Sequence, residues 1–156
     1  MRLGSPANLG APVFWVEPMP ILWISFAILG LAVVFDLRSR EIPDWLSLCL
    51  FGVAVVSTGF GLHKVGWLDL SLGVALGFSV GALLFRLGGF GGGDVKLLAS
   101  LGGVLGWRNE LGVMFWIALW GALFAIVAGL RKEKEFPYAP AIALGLLAFI
   151  VRGYLR

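Results

Sequence analysis

Apolar residues in this chain do not alternate with polar ones; they run in long blocks, and the charged residues collect between the blocks. Six blocks stand out: Met19 to Phe35, Trp45 to Leu62, Trp67 to Phe85, Val95 to about Trp107, Leu111 to Leu130, and Tyr138 to Val151. A helix needs about 20 apolar residues to cross a bilayer. The first, second, third and fifth blocks therefore predict transmembrane helices. The fourth and sixth are short, and cross only if neighbours shield them or they extend past their charged ends. The expected fold is all-α, a polytopic membrane protein of about six transmembrane helices. Residues 1–18 form a Pro-rich N-terminal tail without the basic start and small-residue cleavage site of a secretory signal. Residues 19–156 form one six-helix membrane domain, with no internal repeat.

Composition agrees with this pattern. With 60% hydrophobic and 13% charged residues, and a mean hydropathy of +0.96, the chain is too apolar for a soluble domain of 156 residues. Its 23 glycines suit close helix approach in lipid. The formal net charge is only +3 and no basic stripe is present, so no nucleic-acid partner is expected. Cys49 is the sole cysteine and reads as a small core residue; it can form neither an internal disulfide nor a thiolate metal cluster. His63 is the sole histidine. No metal site and no cofactor are expected.

Loop charge sets the orientation. Arg38, Arg40, Arg86, Lys96, Arg131, Lys132 and Lys134 fall on one side, and Arg2, Lys64, Arg108, Arg152 and Arg156 on the other. The first set predicts the cytoplasmic side, with both termini outside and membrane lipid as the surrounding partner. Asp36, Asp44 and Asp94 then face the cytoplasm.

The acids differ in what they imply. Asp44 follows Pro43 at a helix start, where it can cap orphan amides. Asp69 reads as a solvated boundary residue, and Glu133 and Glu135 alternate with Lys132 and Lys134 as in a solvated loop. No charged residue falls at the centre of a span. Asp36 and Asp94 stand at span ends on one face, where a carboxylate is costly unless something uses it. Asp94 also closes the run Gly88-Gly89-Phe90-Gly91-Gly92-Gly93-Asp94. Glycines there permit unusual backbone angles and let a substrate backbone lie alongside, which makes Gly91 and Gly93 candidate substrate-binding positions. The run is no P-loop, since it ends Gly-Asp-Val-Lys, and no dinucleotide fingerprint, since no α/β unit surrounds it.

At these residues the chain resembles a family. Phe35-Asp36-Leu37-Arg38-Ser39-Arg40-Glu41-Ile42-Pro43-Asp44-Trp45 and Gly91-Gly92-Gly93-Asp94-Val95-Lys96 look like the two signature segments of the type IV prepilin and preflagellin peptidases, the GxGD membrane aspartyl proteases. Pro137-Tyr138-Ala139-Pro140-Ala141 is similar to a further segment of that family. The resemblance implies cleavage of a short basic leader from pilin-like, or archaeal flagellin-like, precursors at the cytoplasmic membrane face, with Asp36 and Asp94 as the catalytic pair. Glu41 is the residue best suited to meet a leader lysine. Larger bacterial members add an N-terminal region with a cysteine cluster and N-methyltransferase activity; with Cys49 alone, methylation is not expected here. The presenilin-like branch is disfavoured, because Phe35 precedes the first acid and no Pro-Ala-Leu segment exists.

Peptide hydrolysis needs an activated water and a protonated leaving nitrogen, which two nearby carboxyls supply when they share one proton. Helix dipoles assign that proton: Asp94 begins its helix, which favours the anion, and Asp36 ends its helix, which favours the neutral acid. The competing reading is a small proton- or ion-coupled carrier using the same two acids.

Overall fold

In lipid the backbone has no water to bond, so long apolar runs close their hydrogen bonds within helices. The computed structural model describes residues 19–131 and 138–154, and these form five helices with no strand among the described residues. They are α1 (Met19–Ser39), α2 (Asp44–Gly59), α3 (Trp67–Arg86), α4 (Gly92–Arg131) and α5 (Ala139–Tyr154). The N-terminal tail with Arg2, the Arg131 side chain, Lys132, Glu133, Lys134, Glu135, Pro137 and Arg156 lie outside what is described.

The fourth and fifth blocks both fall in α4, which is two helical arms that meet at Gly106 with no loop between them. Gly106 breaks the helix there, with the non-helical φ 71° and ψ 159°, a conformation that a Cβ makes costly. Three helices, over Pro20–Ser39, Trp67–Arg86 and Gly92–Leu130, are long and apolar enough to cross a membrane. The helices Asp44–Gly59 and Ala139–Gly153 are apolar but shorter, so six independent crossings are not confirmed. The protein is nonetheless a multi-pass membrane protein.

The first arm of α4 is the centre of the bundle. Leu97, Leu98, Leu101, Val104 and Leu105 are almost wholly buried. α3 approaches this arm through Gly73, Gly77 and Gly81, spaced four residues apart on one face. A Cβ on Gly77 would sit 2.6 Å from the Leu98 carbonyl oxygen, and one on Gly73 would collide with the Gly102 backbone. The glycines thus set the interhelical distance, as small residues do in membranes. Gly102 is the other half of this close approach, since a Cβ there would collide with the Gly73 backbone. Gly121 is less constrained, since a Cβ there would lie 3.6 Å from the Tyr138 ring. Cys49 is not a core residue; it is exposed on α2. Lipid-facing and buried positions are both apolar, so hydropathy does not tell them apart.

Candidate active site

The helix ends on one side of the bundle converge. Asp36 lies in the last turns of α1, and its backbone carbonyl accepts the Arg40 N–H at 3.0 Å. Arg40 then takes a left-handed φ of 54°, unusual for a residue with a Cβ, and the chain runs extended to Pro43 before α2 begins. Two local braces stiffen this corner. The Ser39 hydroxyl donates to the carbonyls of Phe35 and Glu41, and the rings of Phe35 and Trp45 meet edge to face with centroids 6.2 Å apart.

The chain segment from 88 to 94 forms the opposite wall. The Gly91 N–H donates to Asp94 Oδ2 at 3.0 Å, which closes the first turn of α4. A Cβ on Gly91 would lie 3.4 Å from that oxygen, and one on Gly93 would sit 2.8 Å from the Ile42 Cβ. Gly93 is therefore occupied by the chain's own Ile42, while Gly91 and Gly92 remain exposed at the rim. Phe90 is buried and packs on Tyr138, centroids 4.9 Å apart, tying this wall to the start of α5.

Asp36 and Asp94 come together in this junction. Both are buried, at 7% and 6% exposure, and close enough to interact electrostatically. Asp36 Oδ2 accepts the Ala139 N–H, the first amide of α5, at 3.0 Å. Asp94 Oδ1 is buried without a hydrogen-bond partner among the described residues. The sequence-based proton assignment loses its asymmetry here: each acid accepts a backbone amide at a helix N-terminus, where the dipole is positive. That contribution from α5 is invisible in the primary structure.

Glu41 is exposed on the bridge between α1 and α2. Asp44 does not cap α2, because it is the first helical residue and makes no cap bond. Its two carboxylate oxygens instead each accept from the Lys96 ammonium at 2.7 Å. His63 is remote, in the turn after α2, where its Nε2 lies 3.3 Å from the Ser57 hydroxyl. Burial lowers its pKa from 6.5. No group of three metal-ligating side chains is found among the described residues.

Sequence reasoning missed Glu110. It is fully buried on α4, and neither carboxyl oxygen has a partner among the described residues. Reading residues 108 to 110 as a loop between two spans hid it. The available signal was its spacing with Val113, Ile117 and Gly121, the buried stripe of the second arm.

Comparison with known proteins completes the picture. The family described as the type IV leader peptidase family matches residues 23–126. The chain is 42% identical over 135 residues to a prepilin leader peptidase/N-methyltransferase of Bacillus subtilis, covering 81% of this chain and 54% of that protein. A protein of the same description from Pectobacterium carotovorum is 30% identical over 163 residues, covering 95% and 58%. One from Escherichia coli is 30% identical over 145 residues, covering 86% and 63%. The chain thus spans little more than half the length of these relatives. No solved structure matches it.

Proposed function

The chain belongs to the type IV leader peptidase family, and on that premise we propose that it is a membrane-embedded aspartyl endopeptidase. Its substrates are pilin-like precursors, or archaeal flagellin-like ones, whose leaders it removes at the cytoplasmic face of the cell membrane. The carrier reading is not favoured by the family. The observation that carries the proposal is the pair Asp36 and Asp94, two buried carboxyls within electrostatic reach of each other where helix ends converge. Arg38, Arg40, Arg86 and Lys96 on the same side support a cytoplasmic orientation.

In the proposed reaction the two acids share one proton. The ionised carboxyl takes a proton from water, the resulting hydroxide adds to the scissile carbonyl, and the protonated carboxyl delivers its proton to the amide nitrogen as the C–N bond breaks. The Gly91 and Ala139 amides hold Oδ2 of each acid in place, which leaves Asp94 Oδ1 to meet water or substrate. Exposed Gly91 and Gly92 offer a side-chain-free rim for the substrate backbone, and Glu41 on the facing bridge suits a leader lysine. Gly93 contributes through Ile42, by fixing the bridge.

The test is purified protein in detergent incubated with a pilin precursor, with loss of the leader followed by mass. Asp36→Asn and Asp94→Asn should each lower turnover by about 10³-fold or more while inserting normally. Substantial cleavage by either variant would sink the assignment. A chelator should leave cleavage unchanged.

A further inference from the structure

The site contains an ion pair that the two-acid chemistry does not use. Asp44 is the first residue of α2, Lys96 lies two residues beyond Asp94 on α4, and they are bonded through both carboxylate oxygens at 2.7 Å. Both side chains are more than half exposed, so the pair adds little to global stability. Its position in the chain is more telling. From Asp36 the chain passes through the Ser39 and Phe35–Trp45 braces, the left-handed Arg40, Ile42 lying over Gly93, and then Asp44. Lys96 returns to Asp94 within the same helical turn. Chain and ion pair together close a ring that carries one acid on each side.

We propose that the Asp44–Lys96 pair is a positioning clip that fixes the separation of Asp36 and Asp94; this rests on the peptidase reading above. The braces make the α1–α2 corner one stiff piece, so the corner can move relative to α4 only as a body. Two links oppose that movement on the cytoplasmic side. Ile42 over Gly93 prevents closer approach, because the missing Cβ position is already filled. The ion pair prevents separation, since Lys96 pulls Asp44, and with it the corner, towards α4. A stop in one direction and a tether in the other define a distance. Arg40 stands within the ring, and its charge reaches Asp36, so charge and acid travel together with the corner.

The test is a double-mutant cycle on the full chain, with kcat and KM measured on a pilin precursor for Asp44→Asn, Lys96→Gln, the double variant and Lys96→Arg. Misplacing a catalytic group by about 1 Å costs on the order of 100-fold. Each neutral single variant should therefore lose kcat by about tenfold or more, with KM changed by less than about threefold. The double variant should lose no more than either single one, because a clip broken at one end is already open. Lys96→Arg keeps the pair and should stay within about threefold of the parent. Undiminished kcat in the neutral variants, losses that multiply in the double variant, or a rise in KM alone would each overturn the clip; the last would make Asp44 a contact for the leader instead. If Lys96→Gln fails to insert, Asp44→Asn against Lys96→Arg decides by the same criteria. Asp36→Asn and Asp94→Asn in the same assay keep the two proposals apart. Inactivity there with full turnover in Asp44→Asn rejects only the clip, whereas activity there rejects the site itself.

Discussion

At the start of α4, Asp94 is buried with one carboxyl oxygen on the Gly91 amide, a second acid beside it, and a glycine rim open to the outside. In the second arm of α4, past the Gly106 break, Glu110 is buried more completely and has no hydrogen bond and no charged partner among the described residues. On the proposed reading, burial alone does not mark the catalytic acid. What separates the two is local provision: the first position is surrounded by helix N-termini, backbone donors and missing side chains, the second by apolar packing. An acid that the fold equips can do chemistry, whereas one that it merely encloses is a cost to stability.

That contrast can be broken by experiment. Asp94→Asn should abolish cleavage, by about 10³-fold, at unchanged stability, while Glu110→Gln leaves turnover within about twofold. Matching activity losses at both positions would erase the distinction. Next in size, Gly102→Val should cost about 3 kcal/mol in thermal unfolding, since its side chain has only the Gly73 backbone to enter. Gly121→Ala, facing ordinary space, should cost much less. Smaller still, Gly93→Ala pushes on Ile42 and should lower turnover by about tenfold with stability little changed; a loss of stability equal to that of Gly102→Val would assign it to packing. Glu110→Met should raise stability by about 1 kcal/mol, because it removes polar atoms buried without a partner. The smallest effect is at His63. Its folded pKa lies below the unfolded 6.5, so its contribution is complete above pH 6.5 and is lost as pH falls towards the folded value. His63→Gln should flatten that acid-side decline, as followed by unfolding midpoints between pH 5 and about 8.

Much of this was legible in the sequence. Met19 to Phe35 and Trp67 to Phe85 locate α1 and α3 within a few residues, because a long apolar run in lipid has one solution. Asp36 and Asp94 stand out because charge there is scarce. The rest depended on information that hydropathy lacks. Both faces of a membrane helix are apolar, so the exposure of Cys49 and the burial of Glu110 leave little trace in composition. That the fourth and fifth blocks meet at a break in one residue, with no loop between them, turns on one glycine dihedral. Asp44 reads locally as a cap, and only tertiary structure reveals that its partner is Lys96, 52 positions away.

The bonds of the two acids also differ in how far they reach along the chain. Asp94 takes its amide from three residues back, a bond that forms with the first turn of its own helix. Asp36 takes its amide from Ala139, across 103 residues, and so waits for α5. A chain still emerging from the ribosome holds the Asp94 bond and gains the Asp36 bond only when α5 docks. The order of synthesis thus leaves the proposed pair without one of its two backbone bonds until α5 has been made and has docked.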